Sequence, residues 1–253
     1  MSRALEKGLD LLSLVAEGHD TLASLTEASG LPKSTVHRLA RVLIAKELLR
    51  YEESKYGLGH RLLELGGRAR RQLSYVAVAR PRLQATSDAT LETVHLGELS
   101  DTHVVYMEKI DGRRELQMRS YVGLRIPAQT TAMGKVLIAF RPEEEWEGYL
   151  EHLPEKTANS ITDPRAFREE LQRVRERGYG FDDEENEPGV RCVAAPIWDA
   201  AGQVIAAVSI SGASVYITPE RLQRLVPEAL ACARSISTEL GGGDGPEREE
   251  RRD

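Results

Sequence analysis

A chain of 253 residues that is 41% hydrophobic and 29% charged has room for two globular domains and is too balanced for a fibrous or disordered protein. Its formal net charge of -6 excludes a surface that coats nucleic acid all over, and its two cysteines, Cys192 and Cys232, exclude a disulfide framework and a four-Cys zinc site. With no secretory leader and no run of about 18 apolar residues, the chain is expected in the cytoplasm, without a membrane partner.

The charge is unevenly spread: residues 1–72 carry 12 Lys and Arg against 9 Asp and Glu, and the remainder 22 against 31. A modestly basic module on an acidic body binds phosphates locally without adhering elsewhere. Leu5, Leu9, Leu12 and Val15 predict a first helix over residues 4–17. Thr21 to Ala28 reads as a short amphipathic helix carrying Leu22 and Leu25, and Ser29-Gly30-Leu31 as a tight turn. From Pro32, which suits a first helical turn, Val36, Leu39, Ala40 and Leu43 fall on one stripe at helical spacing. The opposite stripe holds Ser34, His37, Arg38 and Arg41, with no carboxylate between Pro32 and Lys46. A helix with a wholly cationic and hydrogen-bonding outer face is built to approach a polyanion.

Helix, Gly turn and helix make the helix-turn-helix signature. Two short runs, Glu47 to Tyr51 and Tyr56 to Gly59, flank the polar Glu52-Glu53-Ser54-Lys55 and predict a β-hairpin, the wing of a winged module. Lys33, Ser34, Thr35, His37, Arg38 and Arg41 are the candidates to enter a major groove or touch its phosphates. Arg38 is the candidate for a guanine edge, because its planar fork donates twice to O6 and N7. Lys55 and Tyr56 on the wing are candidates for the DNA backbone or minor groove.

The winged module is assigned residues 1–60 and a linker helix with a basic end (Arg68, Arg70, Arg71) residues 61–74, either a solvated connector or a pairing element between two copies. Residues 75–91 predict a helix interrupted by Pro81, after which the period changes. Residues 93–99, 104–110 and 115–119 read as successive strands, residues 131–140, 143–153 and 167–177 as helices, residues 192–198 and 204–211 as strands, and residues 219–240 as one final helix. Residues 75–240 are therefore an α+β domain with an antiparallel sheet and helices gathered to one side or end. The tail, residues 241–253, is Gly-rich and then highly charged, and is expected to be disordered.

Within this domain, the stretch from Pro127 to Lys135 runs into an apolar helix whose first N–H groups offer either an anion site or a plain packed start. Gln129 and Val136 stand where a phosphate loop needs Gly and Ser or Thr, which excludes nucleotide hydrolysis. The acidic run from Asp182 to Glu187 lacks the Gly and Glu of a calcium loop and reads as a solvated loop. Cys192 opens a buried-looking strand, where packing is the default, and no histidine is placed locally to activate it. Ser209 and Ser211 share one strand face, and their hydroxyls need partners in a ligand, the backbone or water.

Three segments in the right order then carry a resemblance: Leu31-Pro32-Lys33-Ser34-Thr35-Val36-His37-Arg38-Leu39; Thr131-Ala132-Met133-Gly134-Lys135-Val136-Leu137-Ile138-Ala139; and Asp182 to Glu185 through Gly189 to Ile197 into Ser209-Ile210-Ser211-Gly212. Together they resemble the IclR family of bacterial transcriptional regulators, across residues 3–240. Trp198 departs from the family pattern of Phe, Tyr or His and is expected to alter only packing.

The resemblance implies a winged helix-turn-helix, a linker helix and a GAF-like effector domain, acting as a homodimer or dimer of dimers on palindromic operator DNA. It further implies a small carboxylate-bearing effector held by the amides of Ala132 and Met133. The side chains of Asp182, Cys192, Ser209 and Ser211 would meet its other polar atoms, with Met118, Ile126 and Val190 as apolar walls. A keto, sugar or aromatic acid would fit. No enzyme activity, cofactor or metal is expected, and control of a catabolic operon, with repression the expected sign, is the implied role. The rival classes are a GAF-like enzyme acting on a small acid and a constitutive DNA-binding protein.

Overall fold

The computed structural model describes the backbone of residues 3–72 and 74–243, and the side chains of all of these except 69–72 and 74. The side chains of Arg70 and Arg71, and the tail from residue 244 onward, lie outside the described residues. The chain divides into two compact units, residues 1–73 and 74–253.

In the first unit, helices α1 (Arg3–Ala16), α2 (Leu22–Ser29) and α3 (Lys33–Ala45) enclose Leu11, Leu25, Val36, Leu39, Ala40 and Leu43. Thr21 and Ser24 cap the start of α2 reciprocally, each side chain accepting from the other's backbone N–H. Gly30 ends α2 at φ 64°, the left-handed turn for which glycine pays least steric cost. Pro32 is the residue just ahead of α3. Strands β1 (Leu49–Glu52) and β2 (Lys55–Leu58) pair antiparallel with Glu52 opposite Lys55. Glu53 (φ 49°) and Ser54 (φ 65°) both take positive φ, as a two-residue hairpin turn of the primed kind demands. Helix α4 (His60–Gln72) follows.

The second unit opens with α5 (Ser74–Thr90), which runs on through Pro81 where the sequence predicts an interruption. Strands β3 (Thr93–Ser100) and β4 (His103–Ile110) come next, then the short strand β5 (Arg125–Pro127) and helix α6 (Ala132–Ala139). A single-turn helix α7 (Glu147–Leu150), helix α8 (Pro164–Arg177), strands β6 (Gly180–Asp183), β7 (Val190–Trp198) and β8 (Val204–Ala213), and helices α9 (Pro219–Arg224) and α10 (Val226–Glu239) complete it. The strands form one antiparallel sheet in the order β5-β4-β3-β8-β7-β6.

The differences from the sequence reading have local causes. Residues 115–119 pair with no strand among the described residues; they belong to an irregular strap, residues 111–124, tied by backbone hydrogen bonds at its ends and by side chains in its middle, with Lys109 Nζ donating to the carbonyls of Met118 (3.0 Å) and Ser120 (2.8 Å). The acidic run hides a strand, because Asp182 and Asp183 pair with Cys192 and Arg191. The helix predicted over residues 143–153 resolves into a 3-10 turn and α7. The final helix breaks at Leu225, where Pro227 in the first turn of α10 has no N–H to continue the ladder. Helices cover both faces of the sheet: α5 and α10 pack on one, α6 and α8 belong to the core on the other. Trp198 lies edge-on to Phe140 with ring centroids 5.0 Å apart.

Two glycines permit close approaches around helix α6, Gly97 on the sheet side and Gly134 at the 3-10 turn ahead of the helix. A Cβ on Gly97 would stand 2.4 Å from Met133 Sδ, and one on Gly134 only 2.1 Å from the carbonyl oxygen of Ala128. The second neighbour is backbone and cannot swing aside. Alanine is the better helix former by about 1 kcal/mol, so Gly134→Ala tests packing against propensity. We expect a net loss of about 1–3 kcal/mol from overpacking, read as a lower urea midpoint in the fluorescence of Trp146 and Trp198, both in this unit. An unchanged or higher midpoint would contradict the close approach.

Candidate functional site

The outer face of α3 is open. Lys33, Ser34, His37, Arg38 and Arg41 are exposed and Thr35 is half-buried, while Val36, Leu39, Ala40 and Leu43 turn inward. Among the described residues no carboxylate pairs with Lys33, Arg38 or Arg41. On the wing the cations are committed: Arg50 pairs with Glu52 at 2.5 Å, and Lys55 with Asp20 at 2.7 Å. Tyr56 needs correction as a DNA-facing side chain. It is only 7% exposed, packed in the core of the first unit, and its backbone N–H donates to the carbonyl of Asp20. The exposed ring of the wing is Tyr51, 4.8 Å from that of Tyr56, a residue the sequence reading passed over.

In the second unit a cavity of about 110 Å³ lies where the start of α6 meets the sheet. Met118, Ile126, Ala132, Met133, Asp182, Val190, Cys192, Ser209 and Ser211 all line it. So do Tyr106, Arg119, Ser120, Leu124, Thr131, Asn186 and Glu187, which the sequence reading did not select. Most of these additions sit on the strap or on residues 184–189, where no periodicity reports which way a side chain faces.

Thr131 caps α6, its Oγ1 accepting from the N–H of Gly134 at 3.1 Å. The N–H groups of Ala132 and Met133, in the first turn, have no acceptor within the helix and carry the positive end of its dipole. Antiparallel register sets Asp182 beside Cys192, Cys192 beside Ser211, and Ser209 one pleat along, so a row of polar side chains crosses three strands. The Ser209 and Ser211 oxygens stand 3.3 Å apart, which leaves both hydroxyls with capacity to spare.

Asp182 is buried, and its Oδ1 accepts from the N–H groups of Glu185 (2.7 Å) and Asn186 (3.3 Å). Burial pushes its carboxyl up to about 7, against the opposing pull of Lys135. Burial also holds the Cys192 thiol well above its ordinary range, with the Asp182 charge adding to the effect, so this sulfur is a poor nucleophile. His95 stacks on Tyr106 at 4.4 Å, and its Nε2 lies 2.7 Å from Ser120 Oγ. Burial, reinforced by Lys109, lowers its pKa to about 3 and keeps it neutral. Among the described residues no group of three or more His, Cys, Asp and Glu is arranged to hold a metal ion.

Comparison with known proteins decides the family. Residues 4–53 match the profile described as the IclR helix-turn-helix domain, and residues 69–238 the bacterial transcriptional regulator IclR C-terminal domain. The chain belongs to the IclR family. It is 39% identical to the HTH-type transcriptional regulator KdgR of Escherichia coli over 92% of this chain and 91% of that one. It is 34% identical to the DNA-binding transcriptional repressor YiaJ of the same organism, over 95% and 88% of the two chains. A solved IclR homologue from Microbacterium hydrocarbonoxydans, complexed with 4-hydroxybenzoate, superposes with a TM-score of 0.83 at 25% identity, covering 94% of this chain and 98% of that one. As an IclR-family member the protein is a DNA-binding transcriptional regulator, and the relatives named are regulators rather than enzymes. No helix among the described residues is long and apolar enough to cross a membrane.

The buried carboxyl makes stability pH-dependent. Because the folded-state pKa of Asp182 is raised, the folded unit holds more protons than the unfolded chain between the usual carboxylate range and about 7. Stability therefore falls as pH rises through that window. We expect Asp182→Asn, which keeps an oxygen for the two backbone donors, to lose less stability than the wild type between about pH 4.5 and about pH 7.5. Glu185, shifted in the same direction, retains part of the slope. Parallel pH profiles of the tryptophan-monitored urea midpoint for the two proteins would contradict the assignment.

Proposed function

We propose that this IclR-family regulator is a ligand-responsive repressor of a catabolic operon, released from or retained on its operator by a small organic acid. The observation that carries the reading is the meeting of two unlike walls in one cavity: the first amides of α6, suited to a carboxylate, and the row Asp182, Cys192, Ser209 and Ser211, suited to hydroxyl or carbonyl oxygens. Met118, Ile126 and Val190 supply the apolar wall. A keto, sugar or aromatic acid satisfies these groups, and the ligand in the homologue's complex, 4-hydroxybenzoate, is itself a carboxylate.

At the other end, Lys33, Ser34, Thr35, His37, Arg38 and Arg41 contact the major groove or its phosphates, and Lys55 reaches the backbone at the wing, exchanging Asp20 for phosphate. A module with a surplus of three positive charges binds one half-site weakly, so a homodimer or dimer of dimers on a palindromic operator is needed for useful affinity. Exposed Leu5 and Leu9, one turn apart on α1, and exposed Leu63 on α4 support such pairing. The acid acts only through unequal affinity for two arrangements of the assembly.

Two measurements check the two ends separately. Arg38→Ala is expected to weaken specific operator binding by about 1–3 kcal/mol and flatten sequence preference; unchanged gel-shift affinity would remove α3 from the major groove. The double variant Ser209→Ala with Ser211→Ala is expected to bind operator normally and to lose its response to acids that shift the wild type in a thermal screen. A fully responsive double variant would place the effector elsewhere.

A further inference from the structure

The cavity holds two charges that the carboxylate reading leaves unused. Arg119 is the one Lys, Arg or His side chain among the residues lining it, and Glu187 is its acidic counterpart from the opposite loop. Both are exposed residues, which places them at the solvent side of the cavity. Neither side chain has a hydrogen bond or ion pair among the described residues. The contrast within the strap is informative: Arg113 pairs with Asp88 at 2.6 Å, and Arg114 with buried Glu92 at 3.1 Å, so only the arginine that faces the cavity is left uncommitted.

Arg119 is also held in place from both sides. The largely buried Lys109 ammonium donates to the carbonyls of Met118 and Ser120, the residues flanking it, and His95 Nε2 meets Ser120 Oγ at 2.7 Å. A strap with no strand pairing is thus fixed at the segment that carries the arginine. Fixing the backbone reduces the entropy lost when the guanidinium takes hold of a ligand, and its planar fork matches a carboxylate or phosphate.

We propose that Arg119 forms a second anion subsite of the effector cavity, so that the effector is a short diacid: one carboxylate on the amides of Ala132 and Met133, polar atoms along Asp182, Ser209 and Ser211, and a second anionic group, carboxylate or phosphate, on Arg119. The proposal rests on the cavity reading above. Glu187 opposes it electrostatically and sharpens selection, since an anion that fails to reach the guanidinium meets only repulsion at the rim.

The test is calorimetric titration of the full-length protein with matched pairs that differ only at the far end: 2-oxovalerate against 2-oxoglutarate for a second carboxylate, and gluconate against 6-phosphogluconate for a phosphate. In at least one pair the diacid is expected to bind about ten-fold more tightly than the monoacid. Arg119→Gln, at an exposed and unpaired position, is expected to keep the thermal stability of the wild type, to weaken the diacid far more than the monoacid, and so to erase the preference. Glu187→Gln is expected to widen it. Equal affinities within both pairs, preference for the monoacids, or a preference that survives Arg119→Gln overturns the second subsite. Failure of the underlying cavity reading is separately visible: no acid of either pair binds, or binding persists unchanged in the variant Ser209→Ala with Ser211→Ala.

Discussion

A lysine ammonium buried in a domain core has to be met there, because water cannot reach it. Lys135, on the fully buried α6, is 1% exposed and is met by Glu185 at 2.5 Å. Such a pair adds little net stability, but removing one partner typically costs about 3–5 kcal/mol, so it dictates where the chain goes more than how firmly it folds. Here it draws residues 184–189 over the start of α6. The same turn supplies the backbone donors for Asp182, and Thr130 Oγ1, just ahead of α6, donates to Asn186 Oδ1 at 3.0 Å. Thr157 and Ser160 anchor the turn from outside through the carbonyls of Glu184 and Glu185. The wall that this turn gives the cavity is therefore a consequence of one buried charge and its partner.

Helix α3 handles charge unlike the second unit. In the second, most arginines are tied down: Arg175 to three oxygens, Arg177 to the carbonyl of Tyr179 and to Glu170, Arg191 to Asp183, Glu184 and the carbonyl of Ile217. On α3, by contrast, the cations stand free and the nearest sequence-local acid, Glu47, comes after the helix has ended. An unpaired cation gains from phosphate without first giving up an ion pair. In the proposed function, that difference focuses DNA binding on one helix face of an otherwise acidic protein.

Much of the fold was legible because burial imposes a period. The stripe of Val36, Leu39, Ala40 and Leu43 announces α3 and its free face, and the alternation of Val208, Ser209, Ile210 and Ser211 announces a strand with hydroxyls on one side. Both signals are local. What brings Ser209 and Ser211 to Asp182 and to the amides of α6 is register across β6, β7 and β8, which no single segment encodes, and only the family resemblance joined them beforehand. The strap escaped because Lys109 and Arg114 hold it by side chains, leaving no periodicity to read and no sign that Arg119 faces the cavity. Tyr56 was misplaced for a related reason: a short hairpin exposes one of two facing tyrosines, and which one depends on the helices beneath it. Asp182 and Glu185 looked like members of a solvated acidic run because their partners, a lysine about fifty residues earlier and two backbone amides, carry no signature in the run itself.

In the proposed function an acid in the cavity and DNA on α3 bias one shared equilibrium, so each ligand must change the other's affinity by the same factor. The operator affinity of the full-length protein is measured by fluorescence anisotropy on its own upstream region, with and without a saturating acid taken from the binding screen. The affinity for that acid is then measured on free and on operator-bound protein. The expected result is two equal ratios that both differ from one. An acid that binds in the cavity and leaves operator affinity unchanged, or an operator preference no greater than that for random duplex at physiological salt, would contradict it.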